Sequence, residues 1–124
     1  MGWNQYSVDG VGERLVTMKK NGTITKGTHE GFIAAVAANL EVKVAAAGEK
    51  IFGVIRNIAG DDITVQDKGY VTMPYSGATV PTVGSRNLLV ADGNGGVTVD
   101  TTNGDPFFVV AVDTTNSKVT FDLG

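Results

Sequence analysis

Residues 88–97 read LLVADGNGGV, and this stretch decides the fold. Four apolar residues, Leu88–Ala91, run into the segment DGNGG at positions 92–96, after which Val97 resumes the apolar pattern. Asp, Asn and Gly are favoured in β-turns because they tolerate positive φ angles or hydrogen-bond to their own backbone. A helix would not continue through five such residues, so the segment predicts a β-hairpin.

A second stretch, Gly31–Leu40 (GFIAAVAANL), aligns with this hairpin but is ambiguous by itself. Its apolar residues recur at spacings that also fit one face of a helix. Because its aligned partner contains a hairpin turn, we interpret Phe32–Val36 as a strand and residues 37–39 as its turn. A short helix at this position is the alternative.

The alignment extends to an internal repeat that covers most of the chain. The matched segments are Gly48–Ile55 with Gly104–Ala111, Asp62–Val65 with Lys118–Phe121 and, after a one-residue gap, Gly27–Ala34 with Gly84–Ala91. Each copy has a turn led by glycine, an apolar strand, an alternating strand, a Gly-acid turn and two further strands. We therefore expect two similar halves.

The remaining strands follow from apolar alternation. Leu15–Met18 precedes an Asn-Gly turn, and Leu40–Val44 alternates strictly, as does Val97–Val99, which is typical of strands with one wet face. Ile51–Ile55 and Phe107–Val112 are apolar at consecutive positions, which predicts central strands buried on both faces. The fold class is therefore all-β, a small β-barrel or β-sandwich of about eight to ten short strands.

We expect one domain over residues 1–124, with a first half at 13–82 and a second half at 83–124. Tyr70–Met73 leads into a proline-containing link between the halves. Residues 1–12 lack periodicity and are interpreted as an extended N-terminal arm. The arm either docks on another molecule or covers an edge of its own barrel as a strand. The docking residues we expect in this arm are Trp3, Asn4, Gln5, Tyr6 and Val8.

Composition excludes several classes of function. The 124 residues include no cysteine, which excludes disulfides and thiolate chemistry. The formal net charge of −3 argues against nucleic acid as a partner, because neutralising phosphates requires a basic surface. No apolar run is long enough to span a bilayer, and the N-terminal residues do not resemble a signal peptide, so we expect synthesis in a cytoplasm and no membrane partner.

The candidates for chemistry are few. His29 is the one histidine, and it lies in a polar turn, where a solvated turn residue is a better interpretation than a general base. Asp61 and Asp62 are adjacent in a turn, so their carboxylates are expected to face water. The segment that begins at Asp92 resembles the start of a calcium loop, but position 103 is Asn instead of the bidentate Glu. We therefore predict no catalytic residue, metal site or cofactor, and no enzyme activity.

The order of the motifs is similar to that in a known family. The motifs are ITKGT (Ile24–Thr28), AAAGEKIFGVI (Ala45–Ile55), GDDITVQDKGYV (Gly60–Val71) and GDPFFVVAVD (Gly104–Asp113). This order resembles the small capsid decoration, or cement, proteins of tailed bacteriophages. The resemblance implies a structural virion protein on the outer surface of a mature capsid. It also implies a homotrimer, made in the host cytoplasm, that clamps neighbouring subunits of the major capsid protein.

Three other functions fit the same composition. Another virion β-module, such as a tail-tube or head-fibre component, would share the turn density and would assemble into rings or fibres. A carbohydrate-binding β-sandwich would need several exposed aromatic residues on one face, whereas this chain has one Trp, three Tyr and five Phe in all. A small β-barrel enzyme is the least supported, and turnover that depends on His29 or Asp61 would identify it.

Overall fold

The structure is a computed structural model that describes residues 13–124, which form ten strands and no helix. The all-β prediction is confirmed, and the helix considered for residues 31–40 is wrong, because this segment contains a strand. The strands are β1 (Arg14–Lys20), β2 (Ile33–Ala38), β3 (Glu41–Val44), β4 (Gly53–Ala59), β5 (Asp62–Lys68), β6 (Tyr70–Ser76), β7 (Arg86–Ala91), β8 (Val97–Val99), β9 (Asp105–Asp113) and β10 (Lys118–Asp122).

The ten strands close into two five-stranded barrels with the same topology. Barrel 1 has the order β1-β3-β2-β4-β5, and barrel 2 has the order β6-β8-β7-β9-β10. In each barrel the first strand is parallel to the third, and every other neighbouring pair is antiparallel. The expectation of two similar halves is therefore confirmed.

The strand pairing divides the chain after Lys68. Tyr70–Met73, which the sequence assigned to the first half ahead of the link, forms part of β6, and β6 pairs with β10 and β8 and so belongs to barrel 2. Gly69 alone separates the last strand of barrel 1 from the first strand of barrel 2. The chain therefore passes from barrel 1 to barrel 2 at residue 69, whereas the sequence predicted the boundary between the halves at residue 82.

The turn between β2 and β3 differs from the expected turn at residues 37–39. Ala37 and Ala38 extend β2, and Ala38 pairs with Glu41 after a bulge, so the turn is formed by residues 39 and 40. Leu40, which was expected to begin the next strand, has a φ of 58° and is 77% exposed. Its carbonyl oxygen accepts a 3.0 Å hydrogen bond from the Lys19 amide, which ties the turn to β1.

The expected two-sided burial holds for β4 near Val54 but not for β9. Val54 and Ile55 are both fully buried, because one packs against barrel 2 and the other fills barrel 1. In β9, Phe107 and Val109 are buried, but Phe108 between them is 41% exposed. The prediction for β9 is therefore wrong: one face of this strand is on the outside of the molecule.

An apolar cluster joins the two barrels. The interior of barrel 1 is a separate cluster built around Ile55, Ile63 and Val65. The interior of barrel 2 is continuous with five residues of barrel 1, namely Ile33, Ala35, Ala45, Ile51 and Val54. Burying one aliphatic side chain of this size stabilises a fold by roughly 1.5–3 kcal/mol. The contact between the barrels is therefore part of the core.

Gln66 is fully buried at the junction of the barrels. Its Nε2 donates to the carbonyl oxygens of Lys68, at 2.9 Å, and Tyr70, at 3.3 Å. Its Oε1 accepts a 2.8 Å hydrogen bond from Arg56 Nε. One amide side chain thus holds the two residues on either side of Gly69, which fixes the direction in which the chain leaves barrel 1.

Candidate functional site

The expected docking residues Trp3, Asn4, Gln5, Tyr6 and Val8 lie outside the described residues. The described chain begins at Glu13, directly before β1. The start of β1 is held by Arg14, whose guanidinium forms an ion pair with Asp67 on β5. The prediction of a docking arm stays a prediction, and its point of attachment is the first strand of barrel 1.

His29 has a structural contact in a turn. Its Nδ1 accepts a 2.8 Å hydrogen bond from the amide of Thr25, and its ring lies edge-on to Phe32 with centroids 5.1 Å apart. The neighbouring Glu30 accepts a 2.7 Å hydrogen bond from the amide of Gly27. Both side chains therefore satisfy main-chain donors of the segment that leads into β2.

The acidic residues considered as chemical groups also have local partners. Asp61 and Asp62 are exposed in the β4–β5 hairpin and form ion pairs with Lys20 and Lys19 on β1. Asp92 Oδ1 accepts hydrogen bonds from the amides of Asn94, at 2.7 Å, and Gly96, at 3.0 Å. This Asx-type turn confirms the hairpin that residues 92–96 predict.

Among residues 13–124, no group of three or more His, Cys, Asp or Glu side chains could hold a metal ion. The same residues contain no helix long and apolar enough to cross a membrane.

A groove with a volume of 510 Å³ lies beside β2 in barrel 1. Ala35 and Val36 form one side, and residues 48–52 of the β3–β4 connection form the other. Ala35 and Ile51 are almost fully buried and make an apolar floor, while Val36 is 53% exposed. The groove is therefore open to solvent and has one unprotected aliphatic side chain.

The charged residues at the groove are paired with one another or with barrel 2. Glu49 binds Lys43 Nζ at 2.7 Å and accepts a 2.6 Å hydrogen bond from the amide of Ala46. The hydrogen bond from Lys43, with that from Ala46, lowers the pKa of Glu49 below its usual value. Lys50 Nζ donates to the carbonyl oxygen of Asn103 at 2.6 Å and lies 3.1 Å from Asp105. The charges of Glu49 and Lys50 beside the groove are thus balanced by ion pairs with other side chains.

The main chain of β2 has an open edge along this groove. β2 pairs with β4 only through Ile33 and Ala34, and Ala34 accepts a hydrogen bond from the Phe52 amide. Hydrogen-bonding direction alternates along a strand, so the N–H and C=O of Val36 point to the same side as those of Ala34. Among the described residues, no main-chain group pairs with Val36 on that side.

The equivalent edge of barrel 2 is covered. Ala91 of β7 pairs with Val97 of β8, and Val36 of β2 pairs with Val42 of β3. Ala91 and Val36 therefore occupy the same position in their barrels. The Ala91 amide donates to the Glu49 carbonyl oxygen at 3.0 Å, and the Gly48 amide donates to Ala91 at 2.9 Å. Ala91 is fully buried as a result. The β3–β4 connection of barrel 1 thus acts as a short added strand on barrel 2.

Three apolar side chains are exposed on the outside of barrel 2. Val80 and Val83 lie in the β6–β7 connection and are 49% and 57% exposed, and Phe108 lies on the outer face of β9. Hydrogen bonds from the Gly84 amide to Val109, at 2.8 Å, and from the Val109 amide to Ser85, at 3.0 Å, hold this connection against β9. We call Val80, Val83 and Phe108 the outer apolar residues of barrel 2.

Comparison with protein-family models, with curated proteins and with solved structures found no match to this chain. Neither the open edge at Val36 nor the outer apolar residues of barrel 2 were found from the sequence. The sequence has one signal for exposure, because Val36 and Val80 have small or polar neighbours. This signal does not identify an exposed side chain by itself, because exposure also depends on which connections cover each strand.

Proposed function

We propose that the protein is a structural virion protein that decorates the outer surface of a mature tailed-phage capsid. In this proposal it binds as a homotrimer and clamps neighbouring subunits of the major capsid protein. The motif order over Ile24–Asp113 supports this function, because it resembles that of capsid decoration proteins. No cofactor, nucleic acid or membrane takes part in the proposed activity.

The observation that carries the proposal is that the acidic side chains bind main-chain amides in turns or form ion pairs. Asp92, Asp100 and Asp113 accept hydrogen bonds from main-chain amides in the turn that follows each of them. Asp67 and Asp105 form ion pairs with basic residues. These groups stabilise turns and strand contacts, which is what a rigid scaffold requires and what a catalytic centre does not.

The double barrel suits a clamp mechanically. Each barrel is a closed sheet, and the apolar cluster shared by the barrels joins them through side chains such as Ile33 and Val54. A rigid body of this kind transmits force between two capsid subunits without deforming. Because many copies bind one shell, modest affinity per copy is enough to stabilise the lattice.

Two surfaces are proposed to contact the capsid. The first is the N-terminal arm, with Trp3 and Tyr6 as aromatic anchors. The second is the set of outer apolar residues of barrel 2, of which Phe108 is the largest. Aromatic residues that become buried at the centre of an interface commonly contribute the most to binding energy.

Co-sedimentation of the purified protein with mature, undecorated phage heads tests the proposal. We expect saturable binding that weakens when residues 1–12 are deleted and when Phe108→Asp is introduced. Leu15→Asp is the matched control, because Leu15 is similarly exposed, at 49%, but lies on barrel 1. This control should bind heads as the unchanged protein does.

The opposite result has a clear meaning. Absence of binding to heads, together with assembly of the pure protein into rings or fibres, would contradict the proposal and assign the chain to the tail-tube or head-fibre class. Binding that Phe108→Asp and Leu15→Asp weaken equally would exclude the outer apolar residues of barrel 2 as the contact surface.

A further inference from the structure

The chain contains three Asn-Gly dipeptides, which begin at Asn21, Asn94 and Asn103. In this dipeptide the asparagine loses its side-chain amide readily, because glycine has no side chain to hinder attack by its main-chain nitrogen. The sequence alone does not distinguish the three dipeptides. Their surroundings in the fold differ, and they leave one of the three open to this reaction.

Asn103 is protected through the main chain on both sides. The Gly104 amide, which would be the nucleophile, donates a 2.9 Å hydrogen bond to the carbonyl oxygen of Asp100. The amide of Asn103 donates to Asp100 Oδ1 at 2.9 Å, and its carbonyl oxygen accepts a 2.6 Å hydrogen bond from Lys50 Nζ. Because the Gly104 proton is engaged and the turn is held, attack on Asn103 requires this turn to open first.

Asn21 is protected through its side chain. Its Nδ2 donates a 2.8 Å hydrogen bond to Glu41 Oε1, and its main-chain amide donates to the carbonyl oxygen of Val42 at 2.8 Å. The side chain must leave Glu41 before its carbonyl carbon can approach the amide of Gly22. The contact between β1 and β3 therefore slows the reaction at this position.

Asn94 has neither protection. It is exposed in the turn between β7 and β8, and within residues 13–124 neither its side chain nor the Gly95 amide has a hydrogen-bond partner. Asp92 Oδ1 accepts hydrogen bonds from the amides on either side, those of Asn94 and Gly96. The turn thus keeps its shape while the Gly95 nitrogen stays unbonded next to the side chain it would attack.

We propose that Asn94 is a site of spontaneous conversion to isoaspartate in the folded protein. The Gly95 nitrogen bonds to the Asn94 Cγ atom, and the bond from Cγ to Nδ2 breaks. The proton lost by the Gly95 nitrogen is balanced by one taken up by the departing group, which leaves as ammonia. Water then opens the five-membered imide at one of its two carbonyl carbons and gives aspartate or isoaspartate. This inference goes beyond the proposed function, because it concerns covalent chemistry of the chain itself.

Isoaspartate at position 94 should weaken the contact between the barrels. The Gly95 carbonyl oxygen accepts a 3.1 Å hydrogen bond from the Ile33 amide, and a Cβ added to Gly95 would lie 2.8 Å from the ring of Phe32. Isoaspartate carries the main chain through its side chain and so inserts one more carbon atom before Gly95. A residue packed this closely cannot be displaced by a bond length, about 1.5 Å, and keep both contacts.

Peptide mapping by mass spectrometry tests the site on the full chain held in mildly alkaline buffer. The same chain unfolded in urea is the reference, because all three dipeptides should convert at similar rates there. In the folded protein Asn94 should convert at least about fivefold faster than Asn103, since a hydrogen bond of ordinary strength holds the Gly104 amide. Equal rates at Asn94 and Asn103 in the folded protein, or no conversion at Asn94, would overturn the inference.

Urea unfolding of the aged protein tests the consequence for the barrels. The midpoint should decrease as isoaspartate accumulates at position 94, whereas aged Asn94→Gln should keep its midpoint, because glutamine would have to close a six-membered imide and reacts slowly. Asn103→Gln is the matched control, and ageing should lower its midpoint as it does that of the unchanged protein. Freshly prepared Asn94→Asp has the new charge without the inserted atom and should also keep its midpoint.

Two results would contradict the effect on the barrels. One is an unchanged midpoint in protein that carries isoaspartate at position 94. The other is an equal decrease on ageing in Asn94→Gln and Asn103→Gln, which would assign the loss of stability to another position. These measurements do not involve phage heads, so failure of the capsid proposal and failure of this one are separate results.

Discussion

Leu40 and Gly95 occupy equivalent turn positions in the two barrels. Leu40 lies two residues before the partner of Val36 in β3, and Gly95 lies two residues before the partner of Ala91 in β8. The φ angle is 58° at Leu40 and 94° at Gly95. Glycine adopts this left-handed conformation freely, whereas a side chain such as leucine costs about 1–2 kcal/mol there. Barrel 1 therefore has a strained residue at a position where barrel 2 has none.

Leu40→Gly should stabilise the protein by about 0.5–1 kcal/mol, since relief of the strain outweighs the greater freedom of glycine in the unfolded chain. Loss of the side chain should cost little, because it is 77% exposed. The midpoint of urea unfolding measures the effect, with Asn39→Gly beside it as a control that should not stabilise. A loss of stability in Leu40→Gly would show that this leucine has a partner in the folded protein.

Several carboxylates have a pKa below the ordinary value for their type. The hydrogen bond from Arg14 lowers the pKa of Asp67, and main-chain amides of the following turn, that of Asn103 first, lower the pKa of Asp100. Asn116 does the same for the pKa of Asp113 through its side chain and amide. The folded protein therefore holds these groups ionised more strongly than the unfolded chain does.

Acid should destabilise the protein in a defined range of pH. A carboxylate whose pKa is lower in the folded state stabilises it above the unfolded pKa, near 4, and this contribution is lost as the pH falls through the folded pKa. We expect a urea midpoint that is level from about pH 7 to about pH 5 and that decreases below about pH 4. Asp67→Asn should lower the midpoint at pH 7 and flatten the acid decrease. An acid slope unchanged by Asp67→Asn would contradict this assignment.

At the scale of the strand, one part of the repeat was predicted with its register displaced, whereas Asp62–Val65 was matched with Lys118–Phe121 as the strand pairing has them. The sequence aligned Ala34 with Ala91, but the pairing makes Ala34 equivalent to Leu89, since they pair with Val44 and Val99. The displacement is two residues. Side chains alternate with a period of two, so a displacement of two residues still aligns side chains that lie on the same face of the strand. Register within a face depends on bulges and turn lengths, which apolar alternation does not specify.

One sequence signal for the true repeat was missed. Val16-Thr17-Met18 recurs as Val71-Thr72-Met73, and each triplet is followed three residues later by Asn-Gly or Ser-Gly. In the structure Met18 pairs with Ile63 as Met73 pairs with Val119. This triplet would have identified β6 as the first strand of the second half. Pro74 lies inside β6, and proline is more typical of a link than of a strand, which conceals this equivalence in the sequence.

The junction between β5 and β6 gives a prediction at the scale of the element. Gln66→Leu should destabilise the protein by about 2–4 kcal/mol, because the carbonyl groups of Lys68 and Tyr70 lose the donor of the fully buried Gln66 and Arg56 loses an acceptor. Thr120→Val is the control: it removes a surface hydrogen bond to Thr72 and should cost less than about 1 kcal/mol. Similar losses in both variants, read from urea unfolding, would show that Gln66 does not fix the junction.

At the scale of the whole molecule, the barrels are closed individually but share one apolar cluster. The expectation of a single domain depends on this cluster, which includes Ile33, Ile51 and Val54 from barrel 1. Closed topology alone would permit two independent domains. The distribution of buried side chains argues for one cooperative unit.

Separated halves should therefore fail to fold well. Residues 13–68 and 70–124, produced apart, should lack the cooperative thermal transition of the whole chain, because the shared cluster would be exposed to water. Mixing the two should restore it, which circular dichroism would detect. A sharp transition in either half alone, at the temperature of the whole protein, would show two independent domains.

The fold class and most strands could be predicted because turn residues and alternation are local properties of the sequence. The groove could not, because it forms where the connection at residues 48–52 turns away from Val36 and toward Ala91. That choice depends on how the barrels dock, which is set by long-range packing. The open groove at Val36 is therefore a property of the assembled pair of barrels.

The connection before β4 spans residues 45–52, whereas the equivalent connection before β9 spans only residues 100–104. The two barrels therefore present unlike surfaces to each other. The long connection of barrel 1 lies on an edge of barrel 2, while the short one folds back so that Gly104 donates to Asp100 within its own turn. Contacts between unlike surfaces propagate head to tail into open filaments unless one surface is missing. Because the short connection of barrel 2 folds back on itself, the contact that the long connection of barrel 1 makes is not repeated by its counterpart in the described chain.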